Sequence, residues 1–157
     1  SQIKKRQVKL SFFIAGDGEL LEVCKKRIAT EELPVSVLGW QSNIERVLSA
    51  ANIVVLTSDN EGTPLSLIQA GMAGLPVVST NVGSVAEVVL NNKTGIVTEL
   101  DVQQIADALE NLANNHALRT QLGNAAREFT LANFGVQRLV RDHEELYKIL
   151  LSSPTKS

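Results

Sequence analysis

The sequence predicts a doubly wound α/β domain with a parallel sheet, followed by a helical C-terminal extension. Over the first hundred residues, short runs rich in valine, leucine and isoleucine alternate with helical patterns, which is the order of βαβ units. From Asp101 onwards, apolar residues recur only at helical spacing. With 157 residues, the chain is long enough for one domain with a substantial core.

Five apolar runs have the length and composition of strands, and the third is apolar enough to be buried on both faces. We predict these strands at residues 8–14, 35–38, 53–57, 76–79 and 95–98. Helical patterns separate them, at residues 20–28, 44–50, 65–73 and 85–90. The C-terminal extension is predicted as three helices, at residues 102–112, 118–129 and 136–151.

Polar residues and glycines mark the ends of several predicted helices. Asp101 is expected to cap the first C-terminal helix, because its carboxylate can accept from the free amides of the opening turn. Ser84 and Glu87 have the spacing of a capping box at the start of the short fourth helix. Gly135 is expected to separate the last two helices, and residues 152–157 to form a frayed tail.

Composition excludes several classes of function. A net charge of −2 gives no reason to expect nucleic acid, and the cations near the N-terminus are predicted to be solvated. The single cysteine, Cys24, cannot form an internal disulfide, which favours a cytoplasmic setting; its helical position predicts a packed thiol. No apolar run approaches the roughly 20 residues that span a membrane. His116 and His143 lack companions at ligand spacing, so no metal site is predicted.

The stretch with the most chemical information is EGTPLSLIQAGMAGLPVV, which begins at Glu61. A carboxylate, a Gly/Pro turn, a helix of small and apolar residues and a buried strand follow one another without a spacer. Gly62 permits backbone conformations that other residues resist, and Pro64 suits the first helical position, where an N–H is not needed. Free amides at a helix start form an anion site, and a diphosphate would fit it. The amides concerned belong to Thr63, Leu65 and Ser66.

This block resembles the donor-binding pattern of retaining GT-B glycosyltransferases, the glycosyltransferases group 1 family: Glu-Gly-x-x-Leu-x-x-x-Glu-Ala-Met-Ala-x-Gly-x-Pro-Val-Val. The resemblance implies that residues 1–151 form the Rossmann-like C-terminal half of such an enzyme, which binds a nucleoside-diphosphate sugar. It implies that Glu61 is the catalytic-site carboxylate and contacts the hydroxyls of the donor sugar. The adjoining donor-binding residues would be Gly62, Thr63, Pro64, Leu65 and Ser66.

One position departs from the family pattern in a chemically important way. The second glutamate of the pattern, which in the family holds the ribose of the nucleotide, falls on Gln69. An amide oxygen still accepts a hydrogen bond, but more weakly than a carboxylate. Gln69 is therefore predicted to bind ribose weakly, or else to be a solvated helix residue.

Two further loops match the family. A Gly-Asp-Gly turn at residues 16–18 lies where family members line the donor cleft, although a simple tight turn explains it equally. The end of the second strand matches a family strand whose main chain meets the nucleotide base, and the resemblance assigns that contact to Leu38 and Gly39. Trp40 beside them is expected to cap the sheet edge.

The resemblance also implies what this sequence lacks. In the family, a preceding βα unit supplies an arginine and a lysine for the diphosphate, and an N-terminal domain binds the acceptor. We therefore expect a fragment of a longer enzyme, with that acceptor domain as its partner. No metal or other cofactor is expected to be obligatory, and the absent half allows peripheral membrane association.

The leading hypothesis is thus the donor-binding domain of a retaining glycosyltransferase, a hexosyltransferase that is inactive as this fragment alone. One alternative is a sugar-nucleotide epimerase with the GT-B fold, which would need acid and base residues beyond Glu61. The other is a non-catalytic module that binds a nucleotide or a protein, which Gln69 would favour.

Overall fold

The computed structural model describes Arg6 and residues 8–152. Strands and helices alternate in the predicted order, and three helices follow the last strand. The strands are β1 (Phe12–Ala15), β2 (Val35–Gly39), β3 (Val54–Leu56), β4 (Val77–Thr80) and β5 (Gly95–Thr98). The helices are α1 (Leu21–Thr30), α2 (Ile44–Ser49), α3 (Leu65–Met72), α4 (Val85–Val88), α5 (Val102–Asn114), α6 (His116–Phe134) and α7 (Val136–Ser152).

The largest differences from the predicted bounds are those of β1 and α6. β1 begins at Phe12 rather than at residue 8, because the preceding residues turn, with the amide of Leu10 donating to the carbonyl of Val8. α6 extends from residue 116 to 134 rather than from 118 to 129. Asn115 causes the earlier start, since its side chain accepts from the amide of Leu118 at 3.0 Å and caps the helix.

Helices cover both faces of the strands, as the doubly wound class requires. Neighbouring side chains of a strand point to opposite faces, and in β4 Val77 and Val78 belong to different apolar clusters. Val77 packs with residues of α3 and α4, such as Leu67 and Val85. Val78 packs with residues of α5 and α6.

The strands form two parallel sheets rather than one. β1 pairs with β2, and β4 lies between β3 and β5. Within the described ranges, β1 and β3 each pair with a strand on one side only. This explains why β3, predicted to be buried on both faces, is only half-buried, whereas all of β4 is buried.

The two sheets share one apolar cluster. Phe12 of β1 and Val55 of β3 both pack against the group that contains Val78. Arg6 attaches the chain before β1 to α5, since its Nη1 donates to Asp107 Oδ1 at 2.6 Å and to Glu110 Oε2 at 2.8 Å. Arg6 is therefore paired rather than merely solvated, and its hydrogen bond to Asp107 raises its pKa. The cations at positions 4 and 5 lie outside the described residues.

The small residues of α3 allow close packing against α6. A Cβ on Gly71 would overlap the side chain of Thr130, and a Cβ on Gly123 would overlap the carbonyl of Gly74. Arg127 Nη1 adds a hydrogen bond to the carbonyl oxygen of Met72 at 2.9 Å.

The two helices at the ends of the fold are the least covered. Neither α1 nor α7 contains a buried residue. The prediction of a packed Cys24 is wrong, because α1 leaves this thiol exposed. Ser152 ends α7, and the rest of the predicted tail lies outside the described residues. Among the described helices, none is long and apolar enough to cross a membrane.

Candidate functional site

The Glu61 carboxylate lies where the chain leaves β3 and is held by a neighbouring hydroxyl. Ser58 Oγ donates to Glu61 Oε1 at 2.6 Å. The carbonyl oxygen of Ser58 accepts in turn from Thr80 Oγ1, at the carboxyl end of β4, at 2.5 Å. Glu61 is half-buried. Its position at the carboxyl ends of parallel strands is the usual place for ligands in this fold class.

The loop after β4 lies directly against the backbone of Glu61. Gly83 has φ +50°, in the left-handed region that favours glycine, and a Cβ at this position would overlap the carbonyl of Glu61. Glycine therefore allows the β4–α4 loop to approach the Glu61 loop closely.

Three of these contacts were not foreseen from the sequence. Nothing in the sequence indicated that the Glu61 loop contacts Ser58, Thr80 or Gly83, although each of them lies at or just beyond the carboxyl end of a strand. A search for small polar residues and glycines at such positions could have found them.

The start of α3 follows Glu61 by four residues. α3 begins at Leu65, within the predicted range, but Pro64 occupies the N-cap position rather than the first helical one. The ψ angle of Pro64 is 92°, which is extended, while its carbonyl already accepts from the amides of Leu67 and Ile68. Pro64 is buried and so fixes the helix start against the core.

The backbone amides at this helix start point to no acceptor in the described part of the chain. Apart from Pro64, the residues of this turn are exposed. The amides belong to Gly62, Thr63, Leu65 and Ser66. A helix start with free N–H groups carries a partial positive charge and attracts anions.

Gln69 lies on the second turn of α3 and is exposed. Within the described ranges, no hydrogen bond involves its side chain, so both the amide oxygen and the NH₂ group are available to a ligand. This position is compatible with either of the two roles predicted for Gln69.

Leu38 and Gly39 lie at the carboxyl end of β2, in the other sheet. The Gly39 carbonyl accepts from the amide of Gly16 at 2.8 Å, which joins the Gly-Asp-Gly turn to the end of β2. The Leu38 carbonyl accepts from Gln41 Nε2 at 2.9 Å. Each carbonyl retains a second lone pair. In the described chain, no hydrogen bond joins these residues to the start of α3.

The two predicted helix caps have opposite outcomes. Asp101 caps α5, because its Oδ1 accepts from the amide of Gln104 at 2.8 Å. The prediction of a capping box at Ser84 and Glu87 is wrong, since the Ser84 side chain makes no cap hydrogen bond. α4 is a single turn, and Ser84 has φ −89° and ψ 18° rather than the extended backbone typical of an N-cap. The residues that the structure describes contain no group of three or more His, Cys, Asp or Glu side chains able to hold a metal.

Comparison with known families identifies this arrangement. The model of the family described as Glycosyl transferases group 1 matches residues 1–129. The chain belongs to this family. The region that matches the family model covers every strand and the site around Glu61, and it ends within α6.

Two curated relatives resemble the chain along most of its length. An N-acetyl-alpha-D-glucosaminyl L-malate synthase from Bacillus anthracis is 29% identical over 147 residues, 90% of this chain and 38% of the relative. A UDP-Gal:alpha-D-GlcNAc-diphosphoundecaprenol alpha-1,3-galactosyltransferase from Escherichia coli is 30% identical over 140 residues, 87% of this chain and 36% of the relative. The chain thus spans less than two-fifths of their length.

Solved structures of group 1 glycosyltransferases share the fold. Staphylococcus aureus TarM, crystallised with fondaparinux, alpha-GlcNAc-glycerol and UDP, superposes with a TM-score of 0.84 at 26% identity, covering 92% of this chain and 30% of TarM. The C-terminal domain of LpcC from Francisella tularensis superposes with a TM-score of 0.69 at 17% identity, covering 86% of this chain and 92% of that domain. The chain therefore has the fold of the C-terminal half of a GT-B glycosyltransferase, as predicted.

Proposed function

We propose that this chain is the donor-binding domain of a retaining glycosyltransferase, which transfers a sugar from a nucleoside-diphosphate sugar to an acceptor. The observation that carries the proposal is the position of Glu61. Its carboxylate is hydrogen-bonded by Ser58, and it lies four residues before a helix start whose backbone amides are free. Such a pair suits a nucleoside-diphosphate sugar, in which the sugar with its hydroxyls is attached directly to the diphosphate. The TarM structure contains UDP, and the Escherichia coli relative is named for UDP-Gal, so UDP is the nucleotide we propose.

The residues divide between the parts of the donor. Glu61 accepts from sugar hydroxyls and orients the sugar, so that it contributes through positioning. The helix-start amides stabilise the charge that grows on the departing diphosphate. The residues of this turn are Gly62, Thr63, Pro64, Leu65 and Ser66.

The nucleoside end of the donor extends towards the other sheet. Gln69 accepts from the ribose hydroxyls through its amide oxygen. Leu38 and Gly39 meet the base with main-chain groups, using the carbonyl lone pairs that their present hydrogen bonds leave free. UDP would then connect the ends of β2 and β3.

The division into two sheets supports the proposal that this domain lacks one βα unit. β1 and β3 each lack a strand neighbour on one side in the described residues, yet Phe12 and Val55 share one apolar cluster. We propose that the parent chain inserts a parallel strand between β1 and β3. Its loop would add cations to the diphosphate site.

The acceptor site belongs to the rest of the parent protein. The chain spans 38% and 36% of two curated relatives, which leaves room for an N-terminal acceptor domain. We therefore propose that this chain alone is inactive, that no metal is obligatory, and that any peripheral membrane contact is made by the other half. The cytoplasmic location remains a prediction.

The experiment is to mix the parent protein with UDP-galactose, UDP-N-acetylglucosamine and GDP-mannose, with and without candidate acceptors. Release of UDP that depends on an acceptor, with a new glycoside of retained configuration, supports the proposal. Interconversion of one UDP-sugar into another would indicate the epimerase instead. Nucleotide binding without either reaction would indicate the non-catalytic module.

A further inference from the structure

We propose that Ser58 is a positioning residue, which holds the Glu61 carboxylate in the orientation that the donor sugar requires. The inference rests on the proposed function and adds a residue to it. Ser58 Oγ donates to Glu61 Oε1 at 2.6 Å, and both side chains are half-buried. A hydrogen bond from a hydroxyl to a carboxylate is charge-assisted and is among the stronger ones in proteins.

Ser58 is itself held in place from β4. Thr80 is fully buried, and its Oγ1 donates to the carbonyl oxygen of Ser58 at 2.5 Å. The backbone of Glu61 is constrained from the same direction, because Gly83 lies against its carbonyl. The loop from Ser58 to Glu61 is therefore fixed at both ends by the chain at the end of β4.

This arrangement leaves one side of the carboxylate for a ligand. Oε1 accepts from Ser58, whereas in the described part of the chain no donor contacts Oε2. A glutamate side chain that is free to rotate would rarely present Oε2 in one direction. The hydrogen bond from Ser58 removes that freedom before the donor binds, which is how preorganised groups contribute to catalysis.

The test is a double-mutant cycle in the parent protein, with UDP release from UDP-galactose and UDP-N-acetylglucosamine as the assay and UDP binding measured by calorimetry. We expect Ser58→Ala to lower kcat by about 10- to 100-fold, the scale of a misplaced reacting group. Its affinity for UDP should change less than about two-fold. Ser58→Thr, which keeps the hydroxyl, should recover most of the activity. Ser49→Ala is the matched control, because Ser49 is exposed on α2 and its hydroxyl, among the described residues, bonds only to the carbonyl of Arg46.

The cycle separates positioning from a general loss of structure. If Ser58 acts through Glu61, Ser58→Ala should cause no further loss in a Glu61→Ala background, where no side-chain oxygen is left to accept from Ser58. Additive losses, or an active Ser58→Ala variant beside an active wild type, would overturn the role of Ser58 and leave the proposed function intact. A wild-type parent that neither binds UDP nor releases it from either sugar would overturn both.

Discussion

At the scale of single residues, the site depends on two side chains with opposite surroundings. Glu61 is half-buried and hydrogen-bonded, while the side chain of Gln69 is exposed and makes no hydrogen bond with any described residue. The hydrogen bond therefore fixes the Glu61 side chain before any ligand binds, whereas the Gln69 side chain must lose rotamer freedom on binding. This difference leads to different expectations for substitutions at the two positions.

Glu61→Gln in the parent enzyme should reduce turnover far more than it reduces affinity for UDP. The reason is that the proposed function assigns Glu61 to the sugar and the backbone amides to the diphosphate. Steady-state kinetics and UDP calorimetry on the same variant check this. Glu45→Gln, an exposed carboxylate on α2, is the control and should change neither quantity. An equal loss of turnover and of UDP affinity would assign Glu61 to the nucleotide instead.

Gln69→Glu should tighten UDP binding by about 1 kcal/mol, because a carboxylate accepts a charge-assisted bond from the ribose hydroxyls. Gln69→Ala should weaken it. Calorimetry with UDP on the parent protein measures both, and Gln121→Glu, at an exposed position of α6, controls for the added charge. Should neither Gln69 variant differ from wild type, Gln69 would be a solvated helix residue.

At the scale of elements, the packing of α3 against α6 positions the helix start to which the proposed function assigns the diphosphate. The contact depends on glycines, since a Cβ on Gly71 or on Gly123 would overlap a neighbouring atom. At Gly123 the neighbour is the backbone carbonyl of Gly74, which cannot rotate away as a side chain could. The two helices must separate to accommodate any larger residue there.

Gly123→Ala is therefore expected to lower the free energy of unfolding by about 1–3 kcal/mol, although alanine is the better helix former. Urea unfolding of the purified chain, followed by circular dichroism, measures the change. Asn124→Ala, on the exposed side of α6, should stay within about 0.5 kcal/mol of wild type. A Gly123→Ala variant as stable as this control would mean that the close approach of α3 and α6 does not contribute to stability.

At the scale of the whole molecule, the feature with the largest consequence is the division into two sheets. A strand with an unpaired edge presents backbone donors and acceptors to solvent or to another chain. β1 and β3 both have such an edge in the described structure, while β4 is paired on both sides. We expect its buried core to be sufficient for folding, and in the proposed function the rest of the parent protein completes the donor site.

The purified chain should thus fold alone and show no sugar transfer, because the proposed cations and acceptor site lie elsewhere in the parent protein. Hydrogen exchange adds a structural readout: amides of β1 and β3 should exchange faster in the isolated chain than in the parent, while those of β4 stay protected in both. Transfer activity of the isolated chain would contradict the first expectation, and equal exchange of β1 and β3 in both proteins would contradict the inserted strand.

What the sequence by itself determined is the order of elements, the family and the start of α3. These features are encoded by residues close together in the chain: the periodicity of a strand or helix, the N-cap at Asp101, and the turn that ends at Pro64. Local patterns were less reliable where the outcome depended on a distant partner. Cys24 was expected to be packed because α1 is amphipathic, but no described element buries that helix.

Only the tertiary structure decided how the strands divide into two sheets and what holds Glu61. Thr80 donates a hydrogen bond to Ser58, 22 positions away in the sequence. Gly83 lies close to the carbonyl of Glu61, which is equally distant in the sequence. These contacts exist because β3 and β4 are parallel neighbours whose carboxyl ends lie side by side. Side-chain periodicity predicts a strand but not its neighbour, since pairing depends on how the connections between strands run through the whole fold.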